Sequence, residues 1–298
     1  MKEINIFCFG FGQVAKNFIK KLSIEKYNIN LSTTSRNESS KENFRGINYN
    51  SYLFSSEKFD QNLVVKLKEA EHILVSIPPE NQEDLVVKNF SKFLESSKVK
   101  WITYLSATSV YGDHKGEWVN ENSKTNPISN KGVGRVKAEN LWVSLEKNNK
   151  LPVQIFRLSG IYSNEKNILV RLKSGDVKLI NKKNHYFSRI HVDDISNILF
   201  KSLSKFKSGE IYNLSDDKPS SSEDVTLFAA KMMNIKNIEK IEVDQIKSEM
   251  LKNFYNESKK VSNAKMKSYF NYNLKFPSYI EGLNHIRSNF IQLEEYSF

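Results

Sequence analysis

A glycine-rich turn between an apolar strand and an amphipathic helix constrains the fold of this chain more than any other feature. Residues 4–9 form an apolar run of strand length that leads directly into Gly10-Phe11-Gly12-Gln13-Val14-Ala15. Apolar residues then recur at helical spacing as far as Leu22, with lysines between them. A strand, a tight turn and a helix in this order are typical of the first half of a βαβ unit, and such units build parallel sheets.

The residues of this turn suit an anionic ligand. Gly10 permits the tight turn, and Gly12 lets the backbone approach a pyrophosphate without a Cβ in the way. The first N–H groups of the helix have no intrahelical acceptor and can bind an anion. The segment matches the pattern G-x-G-x-x-G/A and predicts a dinucleotide-binding site. Glycines also occur in ordinary turns, so the prediction depends on the position of this turn directly after the first strand.

The end of the second strand bears on which dinucleotide binds. Residues 29–34 are predicted to form that strand, and Ser35 and Arg36 follow it. NAD sites commonly place an acidic residue here for the ribose 2′-hydroxyl, whereas an arginine accommodates a 2′-phosphate. The guanidinium and the neighbouring hydroxyl can both donate to such a phosphate. The sequence therefore favours NADP(H) over NAD(H); the alternative is that Arg36 is a solvated surface residue.

Strands and helices continue to alternate after this unit. Further strands are predicted near 46–49, 72–77, 101–105 and 153–157, with helices over about 82–94 and 131–146. This alternation indicates an α/β fold of the Rossmann type, a doubly wound parallel sheet with helices on both faces. We expect residues 1–158 to form an NADP-binding Rossmann domain, with 190–215 returning to the sheet through a helix at 192–202 and a strand at 211–214. Residues 159–189 and 216–298 would form a smaller C-terminal α/β substrate lobe.

Composition excludes several other classes of protein. A hydrophobic fraction of 39% suits a globular core, and no apolar run approaches the roughly 20 residues of a membrane helix. The N-terminus lacks the features of a signal peptide, and the single cysteine, Cys8, leaves no disulfide framework and no thiol metal cluster. The net charge of +11 comes from lysines scattered along the chain, which disfavours nucleic acid as a partner. These features predict a cytoplasmic protein with a small-molecule substrate and no membrane contact, and they leave a homodimer open.

A second motif resembles one found in a known family. Residues 105–112, Leu-Ser-Ala-Thr-Ser-Val-Tyr-Gly, resemble the S-[ST]-x-x-V-Y-G signature of the extended short-chain dehydrogenases/reductases, the nucleotide-sugar epimerase and dehydratase superfamily. Weaker similarities follow in the family's order at residues 152–162, 189–194, 212–215, 260–265 and 277–283. The resemblance implies a nicotinamide cofactor that exchanges a hydride with a carbonyl or alcohol carbon of a small polar, sugar-derived substrate.

Two groups that the family uses in catalysis are missing at the matching positions. The family places a Ser or Thr four residues before the Tyr of V-Y-G, and this chain has Ala107 there. Strand alternation would point the neighbouring Ser106 and Thr108 to the opposite side. The family's Y-x-x-x-K pair aligns with Lys131 and Arg135. The chain therefore resembles an atypical subgroup that keeps the glycine loop and lacks the active-site Tyr.

The motifs and the resemblance together give the candidate site residues. The cofactor contacts would be Gly10, Gly12, Gln13, Val14, Ser35, Arg36, Ser76, Ser106, Arg135 and Arg157. The catalytic candidates are Lys131, Tyr111 and Thr108, and the substrate-binding candidates are Arg189, His191 and Tyr111. Lys131 could equally be a solvated lysine at a helix start, Tyr111 a packing residue and His191 a structural residue. Asp193 and Asp194 are explained as helix caps, so no metal site is predicted.

Two functions fit these observations. The first is an NADP(H)-dependent oxidoreductase or epimerase-like enzyme with a non-standard active site. The second is a non-enzymatic protein that senses NADP(H) occupancy and passes it to a partner, which the loss of the Ser/Thr and Tyr positions would allow.

Overall fold

The computed structural model describes residues 2–180 and 182–295. In these ranges the strands are β1 (Glu3–Phe9), β2 (Asn28–Ser35), β3 (Ser40–Phe44), β4 (Ile47–Leu53), β5 (His72–Val75), β6 (Trp101–Ala107), β7 (Trp118–Val119), β8 (Val153–Leu158), β9 (Gly160–Tyr162), β10 (Leu179–Ile180), β11 (Arg189–His191), β12 (Ile211–Leu214), β13 (Lys240–Ile241) and β14 (Lys260–Val261). The helices are α1 (Gln13–Ile24), α2 (Asn62–Glu69), α3 (Leu85–Glu95), α4 (Asn130–Asn149), α5 (Ile168–Lys173), α6 (Val192–Ser202), α7 (Ser222–Met232), α8 (Glu249–Asn256), α9 (Ala264–Phe270) and α10 (Tyr279–Glu295). No helix in the described ranges is long and apolar enough to span a membrane.

Eight strands form one sheet in the order β12-β8-β6-β5-β1-β2-β4-β3. The strand β1 pairs in parallel with β2 on one side and β5 on the other, and β4 and β6 extend the parallel arrangement outward. The predicted doubly wound sheet is therefore confirmed. The strand order reverses at β1, and in open α/β sheets such a switch point opens a crevice at the carboxyl end of the strand.

The apolar pattern of the sequence explains the centre of this sheet. Residues Ile6–Phe9 of β1 are fully buried, and all four residues of β5 are buried, as expected for strands covered on both faces. The helix α1 buries the apolar stripe that its spacing predicts, from Val14 to Leu22. On the other face Phe9 and Phe54 pack around Phe90 of α3, with ring centroids 5.5 and 5.1 Å away.

The structure differs from the sequence prediction at one additional strand and at the start of one helix. The strand expected near 46–49 is β4, and an antiparallel edge strand, β3, pairs with it. The sequence SKENF is polar and almost wholly exposed, so it has no apolar alternation to reveal a strand. The helix α3 begins at Leu85 because the Asp84 side chain caps it, accepting hydrogen bonds from the backbone N–H groups of Val86 and Val87.

The chain divides into two compact units. The first contains Met1–Val110, Asn130–Arg157 and Ile195–Tyr212, and the second contains Tyr111–Ser129, Leu158–Asp194 and Asn213–Phe298. The segment 111–129 thus groups with the second unit, whereas the sequence prediction places it with the first.

Short parallel pairs hold the second unit together, β9 with β11, β10 with β13 and β7 with β14. Its main apolar cluster joins α5, α7 and α10 around Tyr162 and Leu283. The helix α10 approaches closely at Gly282, because a Cβ there would lie 2.1 Å from the Tyr162 hydroxyl oxygen.

Candidate functional site

The glycine loop is held in place by the ends of two neighbouring strands. Gly10 has φ +82°, and a Cβ there would lie 2.6 Å from the Ile77 Cγ2 atom, so only glycine fits. Its N–H donates to the Thr34 hydroxyl at 2.9 Å, and the Ser76 hydroxyl donates to the carbonyls of Phe9 and Gly10 at 2.9 and 3.0 Å. Ser76 therefore positions the loop. The sequence analysis does not single out Thr34; a polar residue near the end of the strand beside β1 is the signal for it.

The N-terminus of α1 is open to a ligand. Gly12 is its N-cap residue in an extended conformation, and no side chain caps the helix. No acidic residue occupies the first turn, and a Cβ on Gly12 would meet no atom within 4 Å. Packing therefore does not require glycine at this position, and the open space leaves room for an anion to approach the helix N-terminus. Val14 is buried, and Gln13 Oε1 is buried without a hydrogen-bond partner in the described structure. The arrangement fits the diphosphate of a dinucleotide.

The turn after β2 presents Arg36 to solvent. The Ser35 hydroxyl donates to the carbonyl of Asn37 at 3.2 Å, which shapes the turn, and the Arg36 side chain is exposed. The guanidinium follows the strand next to β1, where Rossmann folds contact the adenosine ribose.

A fixed cation lies at the end of β6. The Arg135 guanidinium donates to the Leu105 carbonyl and, at 3.3 Å, to the Tyr104 hydroxyl, and it lies 5.8 Å from the centre of the Tyr104 ring. Burial raises the pKa of Tyr104, so this phenol stays protonated. Ser106, the next residue of β6, has a buried hydroxyl without a hydrogen-bond partner in the described structure. Lys131 lies one turn before Arg135, exposed at the start of α4.

The end of β6 differs from the sequence expectation at one residue. Thr108–Tyr111 form a 3₁₀ turn, so strand alternation ends at Ala107 and does not decide where Thr108 points. Thr108 is buried, at 8% exposure. Tyr111 is fully buried, and its hydroxyl donates to Asn213 Oδ1 at 2.7 Å. The structure therefore gives Tyr111 a packing and hydrogen-bonding role, and catalysis by either residue stays a prediction.

Arg157 has a buried carboxylate partner. Its Nε lies 3.0 Å from Glu139 Oε1 and its Nη2 lies 2.7 Å from Oε2, and both side chains are only 5% exposed. This bidentate pair joins β8 to α4 and neutralises the guanidinium. Contact of Arg157 with a cofactor stays a prediction. The ion pair with Glu139 gives this residue a structural role.

His191 lies inside the second unit. Its ring is 1% exposed, with centroids 4.2 Å from Phe276 and 5.0 Å from Tyr162, and its Nδ1 accepts from the Asp193 N–H. Burial lowers the pKa of His191 to about 4, so the imidazole is neutral at physiological pH. Substrate binding by His191 stays a prediction, and its surroundings are those of a structural residue.

Arg189 lies beside a buried carboxyl group that the sequence analysis does not identify. The Arg189 Nη1 donates to the carbonyls of Phe187 and Ser220, both at 3.0 Å. Burial raises the pKa of Asp216 to about 8, although the charge of Arg189 acts in the opposite direction. Asp216 Oδ2 has no hydrogen-bond partner in the described structure, and Asp216 N donates to the Arg189 carbonyl at 2.7 Å. The only sequence signal for Asp216 is its position two residues after the end of β12.

The explanation of Asp194 as a helix cap is wrong. The helix α6 begins at Val192, which places Asp194 inside its first turn. Its carboxylate accepts hydrogen bonds from the Tyr272 hydroxyl at 2.6 Å and from the backbone N–H groups of Lys275 and Phe276. Asp194 thus binds a distant loop. In the part of the chain that the structure describes, no group of acidic, histidine or cysteine side chains is arranged to hold a metal.

Comparisons with known proteins identify solved structures with the same fold. No protein-family model matches the chain, and no curated protein matches its sequence. A functionally unknown conserved protein from Silicibacter pomeroyi has a solved structure with a TM-score of 0.84 and 29% identity, covering 97% of this chain and 99% of that one. UDP-glucuronic acid 4-epimerase from Bacillus cereus, in complex with UDP-glucuronic acid and NAD, has a TM-score of 0.76 and 16% identity over 98% of this chain and 100% of its own. dTDP-glucose 4,6-dehydratase from Bacillus anthracis, in complex with NAD, has a TM-score of 0.75 and 19% identity over 99% and 98%.

These likenesses support the resemblance seen in the motifs at the level of the fold. The chain shares its fold with these three proteins along nearly its whole length. The two enzymes named above were solved with NAD, so they lend no support to a preference for NADP. They also do not bear on the subgroup that lacks the active-site Tyr.

Proposed function

We propose that this chain binds a nicotinamide dinucleotide along the glycine loop and uses it to oxidise or reduce a small polar, sugar-derived substrate. The uncapped N-terminus of α1 with open space at Gly12 carries the proposal, because a diphosphate fits there and no packing reason for the glycine is present. The shared fold with enzymes whose structures contain NAD supports it. When bound, the nicotinamide would accept or donate a hydride at a carbonyl or alcohol carbon.

Other side chains would hold the nicotinamide ribose and supply the proton that hydride transfer requires. Arg135 would hold the nicotinamide ribose as a permanent cation, fixed by Leu105 and Tyr104. It cannot relay a proton at neutral pH because its guanidinium does not deprotonate. The proton that accompanies hydride transfer must therefore come from another group. Lys131, one turn before Arg135 on α4, is our first candidate, with Thr108 and Tyr111 after it.

We further propose that the cofactor is NADP(H). The exposed Arg36 and the hydroxyl of Ser35 follow β2, where a 2′-phosphate would lie, and the first acidic residue after this strand is Glu38. The cytoplasmic location and a homodimer also remain predictions.

Binding measurements on Arg36→Glu test the NADP assignment. We expect the variant to weaken NADPH binding by at least tenfold and to leave NADH binding nearly unchanged, because repulsion replaces a charge-assisted hydrogen bond to the 2′-phosphate. Lys20→Glu, an equal charge change on an exposed residue of α1, is the matched control. Equal weakening of both dinucleotides would refute the assignment of Arg36.

A non-enzymatic cofactor sensor is the second candidate function. It is motivated by Ala107 and Lys131 at the two positions where the resembling family has its catalytic hydroxyl groups. Incubation with NADPH or NADH and a panel of carbonyl compounds and nucleotide sugars, followed at the nicotinamide absorbance, separates the two functions. Turnover supports the enzyme. Tight cofactor binding without turnover, together with a protein complex that forms only when the cofactor is present, supports the sensor.

A further inference from the structure

A pocket of about 330 Å³ lies within the second unit, between α5, α7 and α8. This volume is at the lower end of the range for small-molecule sites. None of the candidate site residues lines it. The pocket therefore lies apart from the candidate site residues, within the segments that the sequence predicts to form the substrate lobe, and its size suits a compact ligand.

The floor of the pocket is aliphatic. Ile168 of α5, Ile180 of β10, Ile241 of β13 and Leu251 of α8 line it, so the apolar side chains come from four different elements. Ile180 is only 5% exposed and packs in an apolar cluster with Tyr255. Branched aliphatic side chains offer no hydrogen-bond donors or acceptors, so this floor favours an apolar group.

The rim of the pocket is cationic. Arg171, Lys178 and Lys247 line it, and Asp176 is the one carboxylate among its described lining residues. Lys178 forms an ion pair with Glu239 at 2.8 Å. The Arg171 Nη2 donates to the backbone carbonyl of Asp176 at 3.0 Å, so this hydrogen bond leaves the charge of the guanidinium unneutralised. A planar guanidinium carries five N–H donors and matches the geometry of a carboxylate.

We propose that this pocket binds a small amphipathic carboxylate, whose apolar body lies on the aliphatic floor and whose carboxylate pairs with Arg171. The site goes beyond the proposed function, because none of the residues that we assign to the cofactor, to catalysis or to the substrate lines the pocket. A nucleobase suits the pocket less well, since bases bind best against aromatic faces. Among the described residues that line the pocket, only Tyr255 is aromatic; it is 3% exposed, and its hydroxyl is hydrogen-bonded to Ser222.

Calorimetry and ligand-observed NMR on the full chain, without added dinucleotide, test this site. The probes are octanoate and 3-phenylpropanoate, with octanamide and 3-phenylpropanamide as uncharged analogues of the same shape. We expect the carboxylates to bind at least tenfold more tightly than the amides, which corresponds to one charge-assisted hydrogen bond.

Variants assign the binding to the pocket. Arg171→Gln should weaken carboxylate binding by about tenfold and leave amide binding unchanged, and Ile241→Asp should abolish binding of both. Lys173→Gln removes a positive charge from the same helix at a residue outside the pocket, and it should bind like the unaltered chain. Circular dichroism confirms that each variant is folded.

Three results would overturn the proposal. The first is the absence of saturable binding by either carboxylate. The second is equal carboxylate affinity in Arg171→Gln and in the unaltered chain. The third is tighter binding of uridine monophosphate than of the carboxylates, with the same dependence on Arg171, which would make the pocket a nucleotide site.

Discussion

Alanine substitution at the two glycines of the loop separates folding from ligand binding. At Gly10, alanine would adopt a positive φ, which costs roughly 1–2 kcal/mol. Its Cβ would also lie 2.6 Å from Ile77 Cγ2, and overpacking of this kind typically costs about 1–3 kcal/mol. We expect Gly10→Ala to lower the free energy of unfolding by about 2–5 kcal/mol.

At Gly12 the same change should barely affect stability. Its φ of −84° is accessible to alanine, and the new Cβ would meet no atom within 4 Å. Alanine is a poorer N-cap than glycine by roughly 0.5–1 kcal/mol, and the reduced entropy of the unfolded chain offsets about the same amount. The free energy of unfolding should change by less than about 0.5 kcal/mol.

Although the stability should be unchanged, we expect Gly12→Ala to weaken dinucleotide binding. The Cβ would occupy the space that a phosphate oxygen needs in order to reach the helix N–H groups. Loss of one hydrogen bond to a charged group costs about 1.5–3 kcal/mol, or about 10- to 150-fold in Kd.

Urea unfolding followed by circular dichroism gives the stability of each variant, and calorimetry with NADPH and NADH gives the affinities. Full dinucleotide affinity in a folded Gly12→Ala would refute the placement of the diphosphate at this helix. A stability loss as large as that of Gly10→Ala would show that the space at Gly12 is not open.

Two further predictions concern buried charges. Glu139→Ala should lower the free energy of unfolding by about 3–5 kcal/mol, because it removes the carboxylate that pairs with the buried Arg157 charge. Glu69→Ala, whose ion pair with Lys66 is half exposed, should cost at most about 1 kcal/mol in the same urea titration. Equal losses in the two variants would contradict this reasoning. Burial lowers the pKa of His191 from 6.5 to about 4, so the unfolded chain binds the proton first and stability falls as the pH drops from 6.5 to 4. His191→Gln should remove about 3 kcal/mol of that fall, and an unchanged pH dependence of the unfolding free energy would show that His191 does not titrate in this way.

The sequence predicts best those elements whose signal is local and apolar. The helix α6 and the strand β12 have the predicted bounds, and the first strand, the loop and α1 follow directly from their spacing. Each has a buried face whose periodicity is visible in a short window. The edge strand β3 has no such face, since it is exposed and polar, and only its pairing with β4 creates it.

The role of a residue could be predicted only where local backbone geometry determines it. Gly10 and Gly12 can be identified because a turn and a close approach require them at fixed offsets. Arg157, in contrast, lies in a segment that resembles a cofactor contact, and its partner Glu139 is 18 residues away. Asp194 stands where a helix cap is expected and binds a loop about 80 residues further on. Contacts between residues this far apart in the chain produce no periodic pattern in a single sequence.

The proposed cofactor binding and the proposed proton transfer differ in whether the backbone or a side chain determines them. The proposed diphosphate contact depends mainly on backbone N–H groups, on two glycines and on the end of one helix. Proton transfer depends on one side chain with a suitable pKa, and the matching positions hold Ala107, Lys131 and Arg135. Arg135 retains the positive charge and gives up the proton exchange of a lysine, which favours holding a ribose over promoting catalysis. A chain with these residues can therefore keep its cofactor while its reaction changes or is lost, and turnover must be measured separately from cofactor binding.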